Sequence, residues 1–199
     1  LRLKDTLETI LQMALEVTGA QYGIFRLLDA AAENLVTAAI AGEQLAQPLV
    51  ETLPVQSNSI MGWVARNRRP ALVPDLLAPP WVNLYYRLDA GLEMRSELAV
   101  PLVGAGGRLE GVLNLESPQV AAFSEADSHL LQSLAAQAVI AIQEVRLLDA
   151  LQEIAPLLLT QTRQQMLSRL VELARDVANA DFSVLWSVED GQPGQQAAS

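Results

Sequence analysis

The chain opens with apolar residues three or four positions apart, a spacing that places them on one face of an α-helix. These residues are Leu7, Ile10, Leu11, Ala14 and Val17. Gly19 stands where the helix is expected to end, because glycine tolerates the left-handed backbone of a helix terminus. Two apolar runs follow, at 22–28 and 35–41, with a polar turn between them. The pattern predicts a helix and then an antiparallel hairpin.

Further elements follow in the same way. A short amphipathic helix is predicted at 60–68, and the stretch 76–95 is the least regular part of the chain. Strands at 96–103 and 108–116 flank a glycine-rich turn, and a long helix opens at Ser124. This order of elements predicts an α+β fold, with an antiparallel sheet and the terminal helices packed on one of its faces.

The start of this pattern occurs twice. Residues 7–29 align without a gap on residues 167–189, at an offset of 160. Leu7, Ala14, Val17 and Ala20 meet identical residues, and six further positions pair one apolar or aromatic residue with another. Both copies are predicted to form a helix, a helix-terminating residue and an apolar strand. We therefore expect a domain period of about 160 residues, with a second copy beginning near the end of the chain.

Composition narrows the functional classes. The 199 residues carry a formal net charge of −10, which argues against nucleic-acid binding. Cysteine is absent, so disulfides, thiolate metal sites and a covalently attached bilin are excluded. This fits a reducing compartment, and we expect a cytoplasmic location. No apolar run reaches the roughly 20 residues of a membrane span. The chain has no initiating Met, so we interpret it as a fragment of a longer polypeptide.

Three ordered groups of motifs carry a family resemblance. The first joins the segments 59–66 and 70–75, the second joins 95–102 and 111–117, and the third is the helix opening at 123–127. In this order they resemble a GAF domain of the kind found in bacterial sensor histidine kinases and related regulators. The resemblance divides the chain into a GAF domain at 1–150, a linker helix at 151–165 and the N-terminal fragment of a second GAF domain at 166–199.

The resemblance also implies a fold and a role. It implies about six antiparallel strands, with the N- and C-terminal helices on one face and a lidded ligand pocket on the other. Known members bind cyclic nucleotides, haem, bilins, small acids or nothing, so the cofactor stays unknown. The expected function is that of a sensory module in a bacterial signal-transduction protein, such as a two-component histidine kinase. The module would relay its signal through its terminal helices. The alternative is a dimerisation and spacer module without a ligand.

Aromatic and charged residues around the irregular segment are the candidate ligand contacts. Aromatic rings can stack on a planar ligand, while arginine can pair with a carboxylate or phosphate. An aspartate can accept hydrogen bonds from a base or amine. The candidate residues are Trp63, Asp75, Trp81, Tyr85, Tyr86 and Arg95. The alternative is that the two tryptophans simply fill a small core beneath the lid.

No catalytic or metal site is predicted. The glutamates at 93, 97, 110 and 116 show no fixed pairing, and we expect them to be solvated. His129, the only histidine, is expected at or near the surface. GAF-fold methionine sulfoxide reductases need cysteine, which this chain lacks. The segment is therefore predicted not to be an enzyme, although a histidine kinase or another output domain can follow in the longer protein.

The long helix suggests self-association. From Leu131 its apolar residues alternate at three and four positions, which is the spacing of a coiled coil. The stripe continues through Leu134, Ala138, Ala141, Val145, Leu148, Gln152 and Ala155. Part of it must cover the sheet, and the remainder needs another partner. We therefore expect a parallel homodimer through the terminal helices.

Overall fold

The computed structural model describes residues 3–42, 48–85, 93–160, 162–189 and 192–199, and only the backbone at 154–160, 187–189 and 192–196. The chain divides into two compact units, which meet in sequence between Ala141 and Ile142.

A six-stranded antiparallel sheet forms the first unit, as the sequence predicts. Its spatial order is β3-β2-β1-β6-β5-β4, which places β1 and β6 at the centre and the two shortest strands at the edges. The strands are β1 (Tyr22–Leu28), β2 (Asn34–Gly42), β3 (Thr52–Pro54), β4 (Ala71–Val73), β5 (Ser96–Val103) and β6 (Leu109–Ser117).

Helix α1 (Leu3–Thr18) packs on one face of this sheet. Leu11 illustrates the contact, because a side chain at Gly23 of β1 would collide with it. The helix ends at Gly19, which adopts a φ of 69°. Val17 was expected on the packed face but is exposed, and Leu15 is buried instead. Leu15 and Val17 lie on opposite margins of the buried stripe, and the sheet covers the margin that carries Leu15.

Helix α2 (Ile60–Asn67) covers the opposite face. Ser59 caps it, and its hydroxyl accepts a hydrogen bond from the backbone N–H of Gly62 at 2.9 Å. The apolar residues of α2 join those of the sheet in one buried cluster, which includes Ile24, Val64 and Val112. Sheet residues on this face are therefore shielded from solvent.

Helix α3 (Glu125–Thr160) begins after the sheet is complete. The hydroxyl of Ser124 and the carboxylate of Asp127 are hydrogen bonded at 2.6 Å at its start. Within the first unit the helix buries Leu131, Leu134, Ala135, Ala138 and Val139. It lies with α1 on the helical face of the sheet, in agreement with the predicted α+β architecture.

The second unit contains the rest of α3, helix α4 (Arg163–Ala178) and the antiparallel strands β7 (Val184–Glu189) and β8 (Gln192–Ala198). Thr162 and Gln165 form a capping box at the start of α4. The helix ends at Asn179, whose φ of 53° is left-handed. The span of α4 equals that of α1 shifted by 160 positions. The assignment of this unit to a second domain of the same kind stays a prediction.

Candidate ligand-binding site

The α2 face of the sheet carries a cluster of buried polar residues, which we name the polar cluster. Its members are Arg26 of β1, Glu97 of β5, and Asn114 and Glu116 of β6. Glu97 and Glu116 are directly opposite each other on adjacent strands. Asn114 follows two positions earlier on β6, which places it on the same face as Glu116. All four are almost completely buried, since the most exposed of them retain 3% of their accessible surface.

A small cavity lies among these residues and the first turn of α2. Its volume is about 20 Å³, enough for a group the size of one water molecule. Besides the polar cluster it is lined by Val50, Leu53, Ser59, Ile60, Met61 and Leu84. Two atoms of the polar cluster, Nε of Arg26 and Oδ1 of Asn114, have no hydrogen-bond partner within the described part of the chain. Buried polar atoms are normally satisfied, so this cavity is a candidate site for a polar group.

The two carboxyl groups strongly disfavour ionisation. Burial raises the pKa of Glu116 to about 8, although hydrogen bonds from Asn114 and Tyr85 oppose the shift. Burial, reinforced by the adjacent Glu116, raises the pKa of Glu97 well above its usual value. Near neutral pH the pair is therefore predominantly protonated. Its neutral form needs no counter-ion, which explains how two carboxyl groups can share a buried position.

Arg26 does not neutralise this pair. Its Nη1 donates a hydrogen bond to the carbonyl oxygen of Glu51 at 3.3 Å, and its Nη2 donates to the carbonyl of Val50. Burial lowers the pKa of Arg26, and the charge of Glu51 partly offsets this. The guanidinium thus binds the segment before β3 to the centre of the sheet, while its Nε has no hydrogen-bond partner among the described residues.

Of the predicted ligand residues that the structure describes, none lines this cavity. Trp63 and Trp81 contact each other edge to face, with ring centroids 6.0 Å apart, and pack against the apolar cluster. Asp75 and Arg95 form a two-point ion pair, with Nη2 to Oδ2 at 2.9 Å, and neither lines the cavity. Asp75 also accepts the N–H of Leu77.

Among the predicted residues that the structure describes, Tyr85 alone is hydrogen bonded to the polar cluster. Its hydroxyl donates a long hydrogen bond of 3.5 Å to Oε2 of Glu116. Tyr86 lies outside the described residues. The assignment of the six residues as ligand contacts stays a prediction.

The sequence-based interpretation of the glutamates was wrong for three of the four. Glu97, Glu110 and Glu116 are buried, and only Glu93 is exposed. The alternation of polar residues at 110, 114 and 116 along β6 looks like the solvated face of a strand. No signal in the sequence marks these residues as internal, because their burial depends on α2 lying over this face of β6.

Solved structures share this fold. The GAF domain of an Acinetobacter phosphoenolpyruvate-protein phosphotransferase matches with a TM-score of 0.63 and 20% identity over 72% of this chain and 84% of that one. The second GAF domain of DevS from Mycobacterium smegmatis matches with a TM-score of 0.57 and 23% identity over 77% of this chain and 100% of that one. A type II free methionine-R-sulfoxide reductase from Thermoplasma acidophilum matches with a TM-score of 0.60 and 20% identity over 72% of this chain and 96% of that one.

The reductase corrects one prediction. Because this fold also occurs in an enzyme, the prediction that the segment is not an enzyme is wrong as it stands. The other two matched structures come from a phosphotransferase and from DevS, where the fold is one domain of the protein.

No curated protein sequence matches the chain significantly. Among the helices that the structure describes, none combines the length and the hydrophobicity needed to cross a bilayer. The sequence model of the GAF domain matches residues 1–143, which is most of the chain. The chain therefore belongs to the GAF domain family.

Proposed function

We propose that the chain is a sensory module of a larger bacterial signalling protein and that a small ligand binds in the cavity beside α2. One observation carries this proposal: four buried polar residues surround a cavity on the face that α2 covers. On the α1 face the corresponding strand positions are apolar, including Phe25, Leu98 and Leu115. A face that served only for packing would have no need of a buried polar cluster.

The site has a short connection to α3. Glu116 is the second-last residue of β6, and the segment 118–124 leads from that strand directly into the helix. Ser96, the neighbour of Glu97, donates its hydroxyl to the carbonyl of Gln119 in this segment at 2.7 Å. The N–H of Ala121 binds the carbonyl of Pro74 beside β4 at 2.8 Å. A ligand that favours one arrangement of β5 and β6 would thereby bias the start of α3.

Ligand binding is tested by replacing Asn114 with leucine. A screen of small metabolites by thermal shift, with native mass spectrometry of the purified protein, identifies the ligand. Leucine keeps the volume but removes both polar atoms, so we expect the ligand to bind at least tenfold more weakly, as the loss of a hydrogen bond to a charged group implies. Tryptophan fluorescence at Trp63 and Trp81 gives the affinity.

Asn58 supplies the control for this experiment. Its amide donates to the carbonyl of Asn83 at the surface at 3.1 Å, outside the cavity lining. Asn58→Leu should leave the affinity within about twofold. If no metabolite stabilises the wild-type protein and none accompanies it through purification, the module acts without a ligand, as a dimerisation or spacer element.

We also infer that the module forms a parallel homodimer through α3. Leu148 and Leu151 are 56% and 55% exposed, although they are three positions apart on one side of the helix. Leu147 is exposed beside them. Exposed leucines at this spacing are the contact residues of helical dimers. In such a dimer the relay would run through a helix pair, and the output domain, for example a histidine kinase, would follow in the same polypeptide.

The dimer is tested by the double substitution Leu148→Glu and Leu151→Glu. Glutamate retains helix propensity but places charges in the proposed contact, so we expect dimerisation to weaken by at least about 100-fold. Sedimentation velocity over a range of concentrations measures the change. Val120→Glu alters an equally exposed apolar residue outside α3 and should leave the dimer intact. A wild-type chain that stays monomeric at high micromolar concentration would contradict the inference.

Two broader proposals follow from the sequence. The identical helix spans and left-handed helix ends at Gly19 and Asn179 support a second GAF domain that begins near residue 166. The absence of cysteine supports a reducing, cytoplasmic setting.

A further inference from the structure

The polar cluster offers acceptors to a ligand, and this limits the class of ligand. These acceptors are the carboxyl groups of Glu97 and Glu116 and Oδ1 of Asn114. All three residues line the cavity. Oδ1 of Asn114 has no partner within the described residues. Ionised carboxylates only accept hydrogen bonds, so a group with several N–H donors and a positive charge would complement this set.

Among the described residues, no cationic side chain forms an ion pair with Glu97 or Glu116. Arg26, the one cationic side chain among the described residues that line the cavity, directs both terminal nitrogens to backbone carbonyls. From α2 the lining residues are Ser59, Ile60 and Met61, which carry no charge. The other titratable groups nearby are Tyr85, which donates to Glu116, Tyr22, which is opposite Glu116 on β1, and Glu51, beside Arg26. None of these groups would neutralise the negative charge of an ionised carboxyl pair.

Size restricts the ligand further. A cavity of about 20 Å³ accommodates a group of the size of a water molecule, such as an ammonium head, more readily than a guanidinium or an aromatic ring. A primary ammonium carries three N–H donors, equal in number to the two carboxyl groups and the amide oxygen.

We propose, on the basis of the function proposed above, that this cavity takes the ammonium group of a small primary amine in exchange for a proton of the Glu97–Glu116 pair. The O–H bond of one carboxyl group breaks, its proton passes to solvent, and the resulting carboxylate accepts an N–H of the ammonium. The net charge of the occupied site then equals that of the empty site. The module thereby reads amine concentration and pH together.

The proton exchange has a quantitative consequence. Only the ionised pair binds the cation, and below its pKa the ionised fraction rises tenfold for each pH unit. Since burial holds the pKa of Glu116 at about 8, the apparent affinity for an amine should rise about tenfold from pH 6 to pH 7. Over this range a simple alkylammonium stays fully charged, so the change reports on the protein alone.

Carbon-13 NMR of protein labelled at the glutamate Cδ tests the proposal with methylammonium as the probe. We expect methylammonium chloride to move the Glu97 or Glu116 resonance saturably to its ionised position at pH 7, with the tenfold pH dependence. Sodium chloride at equal concentration should not. The combined variant Glu97→Gln and Glu116→Gln should lose the response. Glu110→Gln removes a buried glutamate of the same strand that does not line the cavity, and should keep it.

Failure of the amine proposal can be distinguished from failure of the proposed ligand site. A methylammonium response that sodium chloride reproduces, or one that is independent of pH, overturns the proposal. Saturable shifts of the Asn114 amide with methanol or formate, without a methylammonium response, also overturn it but leave the cavity as a ligand site. If none of these probes affects any lining residue, both the amine proposal and the proposed ligand site fail. The wild-type pH dependence decides the matter even if the glutamine variants do not fold.

Discussion

Replacing Glu116 with glutamine is expected to raise the free energy of unfolding at pH 8 by about 4 kcal/mol. In the folded protein burial raises the pKa of Glu116 to about 8, whereas in the unfolded chain the group titrates near its ordinary value of 4.5. Between these two values the folded state keeps a proton that the unfolded state releases. The contribution of Glu116 to stability is therefore fully present below about pH 4.5 and is lost as the pH rises toward 8.

Urea denaturation at several pH values measures this effect. At pH 4 the carboxyl group is mostly protonated in both states, so the wild-type and Glu116→Gln proteins should differ by less than about 1 kcal/mol. The difference should then grow by about 1.4 kcal/mol for each pH unit. Glu33→Gln, a substitution at an exposed position, should show no such trend. A difference between wild type and variant that is constant from pH 4 to pH 8 would show that Glu116 ionises normally.

The substitution Gly111→Ala is expected to destabilise the protein by about 3 kcal/mol or more. Gly111 pairs with Leu27 of β1 and Leu102 of β5 in the middle of the sheet. A Cβ at this position would stand 2.1 Å from the backbone oxygen of Arg26 and 2.9 Å from the Cα of Leu27. Both are backbone atoms of a central strand, so the collision cannot be relieved by a side-chain rotation.

The matched control is Gly106→Ala in the turn between β5 and β6. A Cβ there would meet nothing within 4 Å, but the φ of 69° strains an alanine, so about 1 kcal/mol is expected. Urea denaturation at one pH compares the two variants. Equal losses in both would mean that the close approach at Gly111 is relieved without cost. Because Arg26 is the residue displaced, Gly111→Ala should also weaken ligand binding at the polar cluster.

The fold was largely predictable because each element has a local signature. The apolar spacing of α1, the capping residue Ser59 and the glycine turn before β6 each specify structure within a few residues. Together with the ordered motifs, these signatures were sufficient to predict an antiparallel sheet with helices on one face. The exposure of Val17 shows the limit of this approach, because one face of a helix turns gradually relative to the sheet it covers.

The candidate site could not be predicted in the same way. Glu97 and Glu116 are 19 positions apart in sequence and meet only through the register of β5 with β6. Their burial depends on α2, which comes earlier in the chain and crosses the sheet over them. A glutamate in a strand is usually solvated, and the sequence alone does not show which face is covered. Aromatic residues are candidates because of their type, yet among the described candidates only Tyr85 is hydrogen bonded to the acid pair.

The two edges of the sheet have a consequence for how such modules coexist in one polypeptide. Strands β3 and β4 are three residues each; β3 ends in Pro54, and β4 lies between Pro70 and Pro74. Short edges interrupted by proline offer few free N–H groups to an incoming strand. Tandem copies would share a very high local concentration, at which open edges invite strand exchange and aggregation. Where β3 and β4 form the edges, the flanking prolines therefore disfavour the addition of a strand from a neighbouring copy.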